Sequence, residues 1–267
     1  MQRSIRRHEL ETVTSLDGTE IAFQKSGQGP AVIIVGGALA DHRFYAPLAA
    51  ELATQFTVYN FDRRGRGQSG DSRPYAVERE VEDVAALIDR AAERAFVYGH
   101  SAGSALAIRA AADGLDIGKL VLADPPFTPR GDDDEAAKAE FADEAARIDE
   151  LHSQGDIEGC AAVFLAGMGL SRDEVEEFLQ GPGGERIVDS ARALPRDYAV
   201  VGDGIVPDDL AARVTVPTLV LAAGAMPETG KALADAIPNA RFHAMEASAH
   251  ETPPAAMAER LTRFFGR

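Results

Sequence analysis

Two short runs of apolar residues, Ala31-Val32-Ile33-Ile34-Val35 and Thr57-Val58-Tyr59-Asn60-Phe61, flank a stretch at 44–54 whose apolar positions recur at helical spacing. Apolar runs without alternation predict strands buried on both faces, the environment of a parallel sheet covered by its crossover helices. The same alternation continues through a helix at 77–93, a strand at 95–98, a helix at 102–112 and a strand at 119–123. Ahead of it, strand-like segments at 9–14 and 20–24 flank the turn Asp17-Gly18 and read as an N-terminal hairpin. From Pro125 to about Val206 the pattern changes: Glu, Asp, Ala and Gly dominate, helices are predicted at 133–151 and 172–179, and no run resembles a strand. Strand and helix then resume at 218–222, 231–236 and 241–245, ending in an amphipathic helix near Phe265. The pattern predicts an α/β chain with a mostly parallel central sheet of about eight strands flanked by helices. Residues 1–125 and 206–267 would form its core, and 126–205 a helical cap inserted after the sixth strand. No internal repeat is visible.

Chemistry enters at Gly99-His100-Ser101-Ala102-Gly103, a G-x-S-x-G run between the strand at 95–98 and the helix at 102–112. A strand that turns sharply into a helix holds its serine in strained geometry, and glycines on both sides avoid the clash. The five letters alone are weakly specific; the strand and helix around them give the reading its weight. A serine hydroxyl is a poor nucleophile at neutral pH, so Ser101 needs a base within hydrogen-bond reach and a carboxylate to orient that base. His250 is the base candidate, because it follows the last predicted strand and precedes Pro253-Pro254, on a loop at the sheet edge that Ser101 occupies. His100 points away from its neighbour at an elbow and reads as packing or support. His42 fits a pocket wall or an ordinary surface position equally well. Gly65-Arg66-Gly67-Gln68-Ser69-Gly70 matches G-x-G-x-x-G, but Ser72-Arg73-Pro74 interrupts the place where a phosphate-binding helix would start, which argues against a dinucleotide.

Composition narrows the classes. The 267 residues carry a formal net charge of -16, the wrong sign for a nucleic-acid binder. No apolar run reaches membrane-spanning length. The basic cluster Arg3, Arg6 and Arg7 lacks the apolar stretch of a secretory signal, so a cytoplasmic location is expected. The single Cys160, in an apolar helical stretch, reads as a small buried hydrophobe. The six histidines show no helical ligand spacing with a carboxylate nearby, so neither a metal nor any other cofactor is expected. The run Asp132-Asp133-Asp134-Glu135 reads as a solvated helix start.

With these motifs in place, the chain resembles the α/β-hydrolase fold family over nearly its whole length, and within it the small bacterial serine hydrolases with a short helical cap. Gly36-Gly37-Ala38 stands where the family has its oxyanion loop, and Asp62-Arg63-Arg64-Gly65-Arg66-Gly67-Gln68-Ser69 is similar to its D-x-R-G-x-G-x-S turn. The resemblance implies oxyanion donors at the backbone N–H groups of Ala38 and Ala102. Gly36 replaces the family's usual histidine, which bears on the support of the loop rather than on the hole, since backbone groups do that work. Many relatives place the triad acid after the strand read here at 218–222, in a G-x-D setting; this chain has Gly224-Ala225-Met226, and methionine cannot orient imidazole. Glu228 is the nearest substitute on that loop. Asp124, ending the strand at 119–123, is preferred, because it keeps the order serine, acid, histidine; its bland alternative is a helix cap at the boundary of the insertion. The expected function is a cofactor-independent serine hydrolase acting on a small ester, lactone, thioester or related acyl substrate through Ser101, His250 and Asp124. A ligand-binding protein, or a lyase, cyclase or perhydrolase on the same fold, is the alternative. The expected partner is a small-molecule substrate, with no nucleic acid and no membrane; a homo-oligomer is compatible with the sequence. Phe127, Phe164 and Met168 either line an apolar pocket or pack the cap.

Overall fold

The computed structural model describes residues 10–91, 94–223, 227–249 and 251–266. Eight strands, β1 (Glu11–Thr14), β2 (Glu20–Ser26), β3 (Ala31–Val35), β4 (Thr57–Phe61), β5 (Ala95–His100), β6 (Ile117–Ala123), β7 (Thr218–Ala222) and β8 (Ala240–Ala244), form one sheet in the order β1-β2-β4-β3-β5-β6-β7-β8. The pairs β1–β2 and β2–β4 are antiparallel and the remaining five are parallel.

The two-residue period of a strand sends the apolar run of β3 into two different cores. Ile33 and Val35 join a layer with α2 (Val77–Ala91), α3 (Ala102–Ala112) and α10 (Pro227–Ala236). Val32 and Ile34 join the opposite layer with α1 (His42–Leu52) and α11 (Pro254–Phe265). Every residue of β3 is buried, as a strand covered on both faces requires. β8, at the sheet edge, is largely exposed, which is why its sequence carries Arg241 and His243.

Between β6 and β7 lie α4 (Asp134–Gln154), α5 (Ile157–Gly167), α6 (Arg172–Gln180), α7 (Gly184–Ala191) and α8 (Leu194–Val201). These helices have their own apolar cluster, built from Ile148, Ile157, Cys160, Ala161, Ala191, Leu194 and Tyr198. Cys160 is fully buried there, as a small hydrophobe would be. α4 ends at Gly155, whose φ of 79° suits a residue without a side chain, and α6 starts on a capping box between Ser171 and Glu174. α8 is shared: Leu194 and Tyr198 belong to the insertion, whereas Val200 and Val201 pack in the sheet layer that holds α3. A short α9 (Asp208–Ala211) leads back to β7. Among the described residues no helix is long and apolar enough to cross a membrane.

Candidate active site

Ser101 sits between β5 and α3 with φ 52° and ψ -127°, a conformation that costs a non-glycine residue about 1–3 kcal/mol. Its neighbours explain how the chain reaches it. A Cβ on Gly99 would lie 2.7 Å from the Gly103 carbonyl oxygen, and one on Gly103 would collide with the carbonyl oxygens of Val35 and Gly36. The Ser101 N–H is anchored on the Ala123 carbonyl at 2.9 Å. The Ser104 hydroxyl, one turn into α3, donates to the Gly99 carbonyl at 2.9 Å and lies 3.1 Å from that of Ala123. The strain is therefore held from both sides by main chain. Among the described residues, the non-glycine residues with positive φ are Leu39, Ser101 and Asp124, all three at this carboxyl edge of the sheet.

The loop after β3 approaches the serine closely: a Cβ on Gly37 would be 3.0 Å from Ser101 Cβ. Ala102 is the first residue of α3, where an N–H has no intrahelical acceptor and the helix dipole favours negative charge. In the β3–α1 loop, the Gly37 N–H is taken by the Tyr45 hydroxyl at 2.9 Å, and the next residue, Ala38, lines one cavity with Ser101. Tyr45 is the support that the sequence reading missed. Its hydroxyl also meets His100 Nδ1 at 2.8 Å, and burial raises its pKa, keeping it protonated at neutral pH. The ring occupies the space beside Gly36, where a Cβ would be 2.8 Å from Tyr45 Cε2. The signal was present in the sequence as the glycine at position 36, which leaves room for a ring from α1. Tyr45→Phe leaves the buried Gly37 N–H without an acceptor, a cost of about 1–3 kcal/mol. The expected outcome in ester kinetics is a lower kcat with little change in KM; an unchanged kcat refutes the role.

Asp124 directly follows β6 with φ 45° and is 5% exposed. Its N–H donates to the Leu221 carbonyl at 2.8 Å, and its Oδ2 accepts the Ala249 N–H at 2.5 Å. No helix starts at Asp124, so a helix-capping role does not apply. Glu228 stands exposed in the first turn of α10 and does not line the cavity that Ser101 and Asp124 share. His250 lies outside the described residues, as do Gly224, Ala225 and Met226.

The turn after β4 frames the loop from below. Asp62 Oδ1 accepts from the His42 N–H at 2.7 Å and from His42 Nδ1 at 2.8 Å, and Oδ2 accepts from the Gln68 N–H at 2.9 Å. His42 is thus a structural partner of Asp62, largely buried, and does not line the cavity. Among the described residues, Asp41, His42 and Asp62 are the one group with three ligand-type atoms within 4.8 Å. Its carboxylate oxygens already accept from His42, Gln68 and Arg43, an arrangement that holds the loop and α1 together. Gly67, with φ 53°, leaves the space that the Asp62 carboxylate fills; the apparent dinucleotide signature is this turn.

Beside it, Arg63 donates through Nε to Glu80 at 2.7 Å and through Nη1 to Asp197 on α8 at 2.8 Å. Its Nη1 also lies 3.3 Å from the Gly36 carbonyl, in the β3–α1 loop. Arg66 donates to the other Asp197 oxygen at 2.6 Å. Burial opposes the charge on Arg63, but Glu80 and Asp197 outweigh it and raise its pKa. Burial also opposes the charge on Glu80, and the guanidinium groups of Arg63 and Arg66 keep its pKa below the usual carboxylate range.

Above Ser101 the core and the insertion enclose a cavity of about 500 Å³. The core contributes Ala38, Ser101, Ala102, Asp124 and Ser248; α4 contributes Phe141 and Glu144; α5 and its end contribute Phe164, Gly167 and Met168; α8 contributes Asp197, Tyr198 and Val201. Phe164 and Met168 thus line the pocket, whereas Phe127 is buried in the sheet layer and only packs. A larger depression of about 980 Å³ on β7, β8 and α11 is lined by neither Ser101 nor Asp124.

An N-formylmaleamate deformylase from Pseudomonas putida is 35% identical over 109 residues, which cover 39% of this chain and 41% of that protein. The match thus spans about two fifths of the curated relative. The crystal structure of an alpha/beta hydrolase from Sphaerobacter thermophilus is 43% identical, with a TM-score of 0.83 over 96% of this chain and 100% of that one. The enol-lactonase from Burkholderia xenovorans shares the fold, with a TM-score of 0.74 at 22% identity over 96% of this chain and 100% of that one. The sequence profile of the alpha/beta hydrolase family matches residues 32–263, and the chain belongs to that family.

Proposed function

We propose that this hydrolase cleaves a small ester, lactone, thioester or related acyl bond through an acyl-enzyme on Ser101. The observation that carries the reading is the strained Ser101 at the amino end of α3, lining one cavity with Asp124, Ala38 and Ala102. Ser101 Oγ bonds to the carbonyl carbon while its proton passes to the imidazole of His250. The carbonyl oxygen, now carrying the negative charge, is held by the Ala38 and Ala102 N–H groups. Collapse breaks the bond to the leaving group, which takes the proton from His250; water then repeats the sequence and releases the acid.

Asp124 is the orienting acid in this reading. Its support is the bond from the Ala249 N–H, which ties Asp124 to the residue preceding His250 in the chain. The helices of the insertion act as a cap that shapes the cavity, and the partner is a small molecule. Neither nucleic acid nor membrane is required, and the chemistry calls for no cofactor. The deformylase and the enol-lactonase are named for amide- and ester-type cleavages, consistent with this chemistry. A fluorophosphonate probe is expected to label the wild-type protein on Ser101 and to leave Ser101→Ala unlabelled. A folded wild-type protein that takes no label and turns over no p-nitrophenyl ester sinks the reading.

A further inference from the structure

The described lining of the cavity carries three carboxylates, Asp124, Glu144 and Asp197, and no lysine or arginine. Two of the three are committed. Asp124 is held by the Ala249 N–H, and Asp197 lies between Arg63 and Arg66. Glu144 is different: among the described residues it forms no ion pair, and the Tyr198 hydroxyl lies beside it. Burial and the adjacent Glu144 carboxylate both raise the Tyr198 pKa, so the hydroxyl stays protonated.

Three aromatic rings line the same cavity as this carboxylate. Phe141 and Tyr198 have centroids 5.1 Å apart and tilted by 43°, and Phe164 meets Tyr198 edge-on at 6.5 Å and 87°. All three line the same cavity, with Met168, about half exposed, at its rim. The backbone makes room for the acid: a Cβ on Gly167 would strike Glu144 Oε1. Aromatic faces carry negative potential, and a carboxylate set among them reinforces it; this chemistry recognises an ammonium group and repels an anion. The net charge of -16 adds a long-range field that favours the approach of a cation.

We propose that Glu144, Phe141, Phe164 and Tyr198 form a subsite for a cationic nitrogen, and that the substrate is an ester or related acyl compound bearing an ammonium group away from the reacting carbonyl. The proposal rests on the hydrolase reading for its reaction, but its binding part can be tested separately. The measurement compares matched esters in which nitrogen replaces carbon: 2-(trimethylammonio)ethyl acetate against 3,3-dimethylbutyl acetate, and methyl 4-(trimethylammonio)butanoate against methyl 5,5-dimethylhexanoate. The cationic member of at least one pair is expected to have the higher kcat/KM by about tenfold, the size of a desolvated ammonium–aromatic contact. Glu144→Gln should bring that ratio close to one, and Glu144→Lys should shift preference to a carboxylate-bearing ester such as monomethyl glutarate.

Neutral esters turned over with ratios near one in both pairs overturn the proposal while leaving the hydrolase reading intact. A cation preference that persists unchanged in Glu144→Gln and Glu144→Lys overturns it as well. If no ester is turned over, calorimetric binding of the same pairs to Ser101→Ala decides: a cation preference lost in the Ser101→Ala/Glu144→Gln double variant supports the subsite, and equal binding of both members refutes it.

Discussion

Asp124→Asn is expected to lower kcat/KM for a small ester by on the order of 10⁴-fold, while Glu228→Gln leaves it unchanged. Asparagine keeps the shape of the side chain and can still accept the Ala249 N–H that Asp124 Oδ2 accepts now, so the loop it anchors is preserved. What disappears is the negative charge. Without it the imidazolium formed as Ser101 loses its proton has no counter-charge, and the amide admits the wrong imidazole tautomer. Glu228 is exposed on the first turn of α10, outside the cavity lining, and its replacement removes no buried partner. Steady-state kinetics on both variants, with thermal melts showing that each is folded, give the answer. The opposite result, with Glu228→Gln inactive and Asp124→Asn active, transfers the acid role to the β7–α10 connection.

The parts of the site that the sequence disclosed are those imposed by short-range sterics. Gly99 and Gly103 are glycines because main-chain atoms occupy the places where their Cβ atoms would be, so the elbow shows as a pattern five residues long. The buried strands show as unbroken apolar runs for an equally local reason: each must satisfy two cores at once. The helices α7 and α8 left no such trace. They are eight residues each, and α8 divides its apolar positions between two clusters, so no single face repeats for long. The contacts that set the cavity are also long-range. Arg63 and Asp197 are 134 positions apart, and the Tyr45 hydroxyl meets His100 across 55 positions. A carboxylate that meets two arginines across such a separation looks, in the sequence, like any other charge on a helix. Glu144, on the mostly solvated α4, was hidden for the same reason.

Asp197 also carries the second large effect. Its two oxygens bind Arg63 and Arg66, and the side chains of all three are at most 3% exposed. Arg63 would keep Glu80 and the Gly36 carbonyl after Asp197→Ala. The Arg66 side chain would keep no hydrogen bond to a described residue, because its Nε and Nη1 have no partner now and Nη2 would lose its only one, leaving only the through-space attraction of Glu80. A buried cation stripped of its partner costs about 3–5 kcal/mol, a large share of the stability of a domain. Urea unfolding of Asp197→Ala is therefore expected to show a loss of that size. Asp197→Asn, which keeps an acceptor for one arginine, should lose less. The double variant Arg66→Leu/Asp197→Leu should recover much of the loss, since removing both buried charges together avoids the stranded cation. The same carboxylate ties α8 to Arg63 and, through Arg63, to the Gly36 carbonyl in the β3–α1 loop. Asp197→Ala should accordingly lower kcat at temperatures where the variant is still folded, whereas the double variant, although restored in stability, should remain slow because that tie is still missing. Full activity in a folded Asp197→Ala, or a stability loss below about 1 kcal/mol, the size of an ordinary surface change, shows that the buried arginines are held by other means.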